Sequence, residues 1–151
     1  MSHIPTGQTA ITPNISVDGG LDAIAFYKRA FGAEVAYQLV MDGRVMHAEL
    51  RIEGATFTVS DALPEFGIAA PDPAAPPTSS LTIWTKDADA LHAQAVAAGA
   101  SETSSVADQF HGDRVGTVRD PFGHRWIVAT HIEDVSPDEL QTRMEALFAR
   151  S

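Results

Sequence analysis

Apolar and polar side chains alternate along ITPNISV (11–17), as they do in a half-buried strand, and Asp18-Gly19-Gly20 ends the run. The next stretch, LDAIAFYKRAFG (21–32), changes period. Leu21, Ile24, Ala25, Tyr27 or Lys28, and Phe31 recur near helical spacing, and Gly32 follows as a C-terminal cap, which predicts a helix over 21–31. Three strands are predicted after it: EVAYQLVM (34–41), RVMHAELRI (44–52) and ATFTVSD (55–61), joined by the hairpin signals Asp42-Gly43 and Glu53-Gly54. In the middle strand, strict alternation assigns Met46, Ala48, Leu50 and Ile52 to the face that packs on the helix carrying Ile24 and Phe31. His47, Glu49 and Arg51 then share the other face. The order is β-α-β-β-β.

Residues 62–78 hold five prolines and read as a linker or surface loop. The pattern then recurs. SSLTIWT (79–85) is a strand, DADALHAQAVAAG (87–99) contains a helix over 88–98, and shorter strand candidates lead to Trp126–His131. Gly32-Ala33 and Gly99-Ala100 lie 67 residues apart, as do Asp22-Ala23 and Asp89-Ala90, while Arg44-Val45 and Arg114-Val115 lie 70 apart. SPDELQTRMEALFAR (136–150) predicts a last helix, with Ser136 or Asp138 as N-cap and an apolar stripe of Leu140, Met144 and Leu147. The expected fold class is α+β, with two tandem βαβββ modules whose curled mixed sheets form a cleft. Module one covers about 9–61 and module two about 79–133, within a single domain.

At 151 residues the chain can bury one core without staples. It has no cysteine, which removes thiolate ligands and cysteine nucleophiles and fits a reducing cytoplasm. The net charge of −10, with no Lys/Arg run, argues against a nucleic-acid partner. No apolar stretch approaches the roughly 20 residues that cross a bilayer, so a soluble, cytoplasmic protein without a membrane partner is expected. Walker, dinucleotide and HExxH motifs are missing, as is a Ser-His-Asp signal.

FYKRAFGAE in the first half, HAELRI in its third strand and DQFHGDRVGTVRDPFGHRWIVATHIEDVSPDEL in the second half resemble the vicinal oxygen chelate superfamily. Within it they are similar to the PhnB-like branch of the glyoxalase, bleomycin-resistance and dioxygenase group. The likeness runs from about Thr9 to Arg143. It implies the paired-module fold, and it implies a homodimer, because isolated modules have open edges that must pair within a chain or between chains. Members isomerise, open epoxides, cleave aromatic rings with iron, or only sequester drugs, so the site chemistry must decide. The superfamily's four metal-ligand places fall by strand register on Thr12, Ser60, Ser80 and Ile127. Hydroxyls bind transition metals poorly and isoleucine cannot bind them, so no metal and no cofactor are expected.

With Thr12 and Ser60 marking the concave face, period two adds Asn14, Ser16, Thr56, Thr58, Thr82, Trp84, Arg125, Ala129 and His131 to it. Ile11, Ile15, Val17, Phe57, Val59, Leu81, Ile83, Trp126 and Val128 take the helix side. A polar face with one aromatic wall suits an amphipathic small molecule. Asn14, Thr58, Trp84, His111, Arg114 and His131 are the candidate ligand-binding residues, and His47 and Glu49 the candidate catalytic ones. His47 and Glu49 have three readings: a solvated pair with Glu49 bound to Arg51 or Arg44, an acid/base or orienting pair in the cleft, or part of a displaced metal site with His131. Arg114 either grips an oxyanion or shapes its loop through Asp108 or Asp113. In DPFGHRW (120–126), Asp120, Pro121 and Gly123 read as turn chemistry and His124 as an exposed residue. Two function classes follow. One is a metal-independent protein that sequesters an amphipathic or aromatic metabolite or antibiotic. The other is a lyase or isomerase acting on an oxygenated small molecule.

Overall fold

The computed structural model describes residues 1–149. Its elements run β1 (Asn14–Val17), α1 (Gly20–Phe31), β2 (Glu34–Met41), β3 (Arg44–Ile52), β4 (Ala55–Asp61), β5 (Ser80–Trp84), α2 (Ala88–Ala98), β6 (Ser101–Asp108), β7 (Asp113–Arg119), β8 (Arg125–His131) and α3 (Pro137–Phe148). The linker adds a single 3-10 turn at Pro64–Phe66, closed by an isolated antiparallel bridge between Leu63 and Ile68. The two four-stranded sheets have the same order, β1-β4-β3-β2 and β5-β8-β7-β6. In each, the first strand pairs parallel with the fourth and the other pairs are antiparallel, so the sheets are mixed and the α+β tandem fold is as expected.

Local chemistry explains the elements. Gly32 ends α1 at φ 67° and Gly99 ends α2 at φ 124°, which accounts for the repeated Gly-Ala signal. The Asp42-Gly43 and Glu53-Gly54 turns place both central residues at positive φ, as a two-residue hairpin requires. Asp87 caps α2 by accepting from Ala90 N at 3.0 Å. The N-terminus of α1 has no such side chain of its own, and Asp61 at the end of β4 supplies it. Asp61 Oδ1 accepts from Gly19 N and Gly20 N at 3.0 and 2.9 Å, and its Oδ2 accepts from Val45 N at 2.7 Å.

Two expectations about faces are corrected. The first strand begins at Asn14 rather than residue 11, so Ile11, assigned to the helix side, lies outside it and is 85% exposed. In β3 the ladder to β2 shifts between Leu39↔His47 and Val40↔Val45, leaving Met46 as an extra residue. This bulge turns Val45 into the core, fully buried, while Met46 goes to the polar side with His47. Ala48, Leu50 and Ile52 keep their predicted core places. The expected last helix extended to 150. It is seen over Pro137–Phe148, capped by Ser136, and residue 150 lies outside the described residues.

α1 packs along α2, and the core is continuous between the modules. At its centre Tyr27, Phe31, Phe57 and Trp126 meet with ring centroids 4.8–6.2 Å apart. Asp120 is buried among them. Its Oδ2 accepts from the Tyr27 hydroxyl at 2.6 Å and from Trp126 Nε1 at 2.8 Å, and its Oδ1 accepts from the backbone of Phe122 and His124 at 2.9 Å. A buried carboxylate is costly unless its lone pairs are satisfied, and these donors satisfy them. Burial, followed by the neighbouring Asp120, pushes the Tyr27 phenol well above its ordinary value. Among the described residues no helix is long and apolar enough to cross a membrane.

Candidate functional site

The polar side of module one carries a groove. Asn14 and Ser16 of β1, Thr58 and Ser60 of β4, and Met46 and His47 of β3 line it, and Leu63 and Ile68 of the linker close one wall around about 330 Å³. The alternation of β1 and β4, in register at Asn14↔Thr58 and Ser16↔Ser60, aligns their polar side chains on this face. Thr58 donates to Asn14 Oδ1, and Ser16 donates to the carbonyl of Ala69 at 2.6 Å, fixing the linker over the groove's end. His47 is half-buried, with its ring 5.7 Å from that of Tyr37, and forms no hydrogen bond to the described residues. It is the groove's titratable group without a protein partner.

Glu49 shares the face of His47 and meets a different fate. It is 5% exposed, because residues 7–12 cross the sheet above it. Gln8 Nε2 donates to Glu49 Oε2 at 3.0 Å and Arg51 Nη2 to Oε1 at 3.1 Å, while Thr12 donates to Gln8 Oε1 at 2.9 Å. Thr56 anchors the same segment by donating to the Gly7 carbonyl at 2.6 Å. The carboxylate is paired with Arg51, one of the two partners weighed from sequence, and it does not line the groove.

Module two ties up its polar groups. The Arg114 guanidinium meets Asp89 through Nε and Nη2 at 2.7 and 2.9 Å and Asp108 through Nη1 at 2.9 Å, so Asp108 and not Asp113 is its partner. Asp89 first, then Asp108, hold Arg114 above its ordinary value. Asp113 instead accepts from His111 Nδ1 at 2.8 Å and His131 Nδ1 at 2.7 Å. Burial pushes the Asp113 carboxyl up, and the hydrogen bonds of His131 and His111 outweigh it and hold the group below its usual range. His131 Nε2 reaches Asp134 at 2.7 Å, and Asp134 and Asp113 together raise the imidazole above its ordinary value. Trp84 is exposed and stands edge-on to His131 at 6.5 Å.

The eight candidate residues therefore separate. Asn14, Thr58 and His47 converge in the groove, Glu49 lies under the N-terminal segment, Arg114 and His111 are held in ion pairs, and Trp84 and His131 border a shallow hollow with Lys86 and Thr130. Met46, Leu63 and Ile68 were missed. The bulge signal, two adjacent apolar residues at Val45-Met46, is ambiguous in sequence, and nothing in a proline-rich linker announces which of its side chains fold inward. His124, read as exposed, is partly buried, with Nε2 2.8 Å from the Ser16 carbonyl. A neutral acceptor there identifies Nε2 as the protonated nitrogen.

The four superfamily metal places do not fit a metal. Thr12 is hydrogen-bonded to Gln8, Ser80 Oγ accepts from Arg125 Nη1 at 2.6 Å, Ser60 offers one hydroxyl to the groove, and Ile127 has no donor. Among the described residues no group of three His, Cys, Asp or Glu side chains is placed to hold a metal ion, and His47, Glu49 and His131 do not form one.

The family model for the glyoxalase/bleomycin resistance protein/dioxygenase superfamily matches residues 11–128. An uncharacterized protein of Mycobacterium bovis is 37% identical over 145 residues, covering 92% of this chain and 94% of that one. The X-ray structure of the gene product of Arabidopsis thaliana At5g48480 has 32% identity and a TM-score of 0.66, over 80% of this chain and 98% of that one. TioX from Micromonospora sp. ML1 shares the fold at 23% identity and a TM-score of 0.65, over 82% of this chain and 99% of that one. With the tandem sheets in the same order and most of its length inside the family model, the chain belongs to the glyoxalase/bleomycin resistance protein/dioxygenase superfamily.

Proposed function

We propose that this protein is a metal-independent binder of small molecules, of the PhnB-like branch, that sequesters an amphipathic or aromatic metabolite or antibiotic in the groove of module one. The observation that carries this reading is the groove itself: a polar floor of Asn14, Ser16, Thr58 and Ser60, an apolar wall of Met46, Leu63 and Ile68, and the unpartnered imidazole of His47. Its volume of about 330 Å³ is at the lower end of the range for drug-sized ligands. The hydroxyl and isoleucine side chains at the superfamily's metal places support the metal-independent part. Tyr37, Leu39, Val40 and Met41 of the outer strand β2 remain 44–59% exposed, and a second copy of the chain covers them in a homodimer.

A lyase or isomerase reading has one observation in its favour, which is that same free imidazole. A thermal-shift screen of small molecules, followed by calorimetry and a product assay with each hit, separates the two. Sequestration predicts stoichiometric binding without product and a His47→Ala variant that binds at least about tenfold more weakly, a loss of about 1.4 kcal/mol, while folding normally. Product formation that disappears in His47→Ala establishes the enzyme instead. Light scattering at micromolar concentration gives the mass of a dimer, and a monomer mass refutes that part.

A further inference from the structure

We infer that the seam between the two modules is a second binding site, which takes a flat aromatic cation: its rings enter an apolar slot beside Trp84 and its positive charge faces Glu53.

The slot follows from the sheet ends. β1 and β5 are the outer strands of separate sheets, and β1 pairs with β4 only from Thr58 onward. Residues 55–57 of β4 are left opposite residues 81–84 of β5 with no strand between them. The gap of about 210 Å³ is lined by Pro13, Ile52, Ala55, Leu81 and Ile83, with Trp84 as a wall, and its floor is the buried pair Phe57 and Trp126, whose rings meet edge to face at 5.6 Å. An engineered apolar cavity of about 150 Å³ accepts benzene, so this volume suits one or two fused rings. Trp84 is 55% exposed, a large aromatic that the fold leaves partly uncovered.

The rim chooses the charge. Glu53 borders both the slot and the adjoining hollow, accepts only a long hydrogen bond from the Thr85 hydroxyl at 3.3 Å, and has no ion-pair partner among the described residues, although Lys86 lines the same hollow. A carboxylate beside an aromatic face is the pairing that binds organic cations, and the net charge of −10 draws them in. A second observation singles out Glu53. It stands at φ 50°, the left-handed place of its hairpin turn. The preceding turn fills that place, at φ 52°, with Asp42. Asn, Asp and Gly suit the position, and a long side chain there works against the turn. A residue kept against local preference, with its carboxylate at the mouth of an apolar slot, is expected where the side chain is used.

Calorimetry with N-methylquinolinium and with 1-naphthalenesulfonate, two-ring probes of opposite charge, tests the site. The cation should bind saturably and at least tenfold more tightly than the anion. Glu53→Asn and Glu53→Gln should each weaken the cation about tenfold and abolish the preference. Trp84→Ala should weaken both probes, and Ala55→Leu, which fills the slot, should eliminate both. Because asparagine suits the turn, Glu53→Asn should raise Tm while it weakens the cation's binding. Equal affinity for the two probes, no saturable binding, an unchanged affinity in Glu53→Gln, or a lower Tm in Glu53→Asn overturns the inference.

Discussion

The two modules have the same sheet order, the same helix placement and the same glycine cap at the helix end, yet their polar faces are used in opposite ways. Module one leaves an imidazole unpaired in a groove and neutralises its carboxylate elsewhere. Module two pairs Arg114 with two aspartates and His131 with two more. Topology fixes which positions face the concave side and leaves free what those side chains do. The difference comes from what is added beside the shared sheets: the linker folds Leu63 and Ile68 onto module one, whereas Asp108 and Asp113, which flank the turn at residues 109–112, and Asp134, ahead of α3, bring carboxylates to module two.

The largest effect should come from removing what the modules share. Asp120→Ala strips the partner from the Tyr27 hydroxyl, the Trp126 indole and two backbone amides, and should cost about 3 kcal/mol or more in urea unfolding. Tyr27→Phe, which removes one donor, should cost about 1 kcal/mol. A cost for Asp120→Ala as small as that of Tyr27→Phe would show that the modules do not depend on the shared carboxylate. Next in size is the bulge. Val45→Ala should lose about 2 kcal/mol, against less than about 1 for Met46→Ala, and the reverse ranking would restore strict alternation in β3. Met46→Ala should instead weaken ligand binding in the groove.

Smaller effects separate the histidines. His47→Ala should weaken binding while His131→Gln leaves it unchanged, because His131 is occupied by Asp113 and Asp134; equal losses would mean that the two concave faces form one site. The smallest signal is His131's own titration. Asp134 and Asp113 raise its folded value, so its stabilising contribution is complete below the unfolded value of about 6.5 and is lost as pH rises through the folded value. An NMR titration should show His131 above an ordinary histidine and Asp134→Asn lowering it. An unshifted midpoint would mean the paired geometry does not persist in solution.

How far the chain could be read in advance depended on the range of the interaction. Strands, helices and glycine C-terminal caps follow from nearest neighbours, and Gly32, Gly99 and the two X-Gly hairpins marked them correctly, whereas the N-terminal cap of α1 comes from Asp61, about forty positions on. That Thr12, Ser60, Ser80 and Ile127 carry no imidazole or carboxylate is a matter of residue type alone. Glu49 was not legible: its burial depends on Gln8, 41 positions away, and no period in β3 encodes the path of residues 7–12. His124 and Ser16 lie 108 positions apart. Asp120 shows both limits. Asp-Pro-x-Gly identified the turn, but the same carboxylate that caps the turn amides also holds the inter-module core, which the turn pattern does not reveal.

The Tyr27–Asp120 bond spans 93 positions, and this separation imposes an order on synthesis. When module one has emerged from the ribosome, the hydroxyl of Tyr27 and the aromatic cluster around it have neither acceptor nor cover, since Asp120 and Trp126 are not yet made. At about 5–20 residues per second the wait lasts several seconds, long compared with the formation of hairpins and helices. Throughout it the nascent half displays Phe57 and Phe31 with the open edge β2. A chaperone that recognises apolar strands therefore has its opportunity before residue 126 is added, and truncating the chain anywhere in the second module should yield an aggregating first half rather than a smaller folded domain.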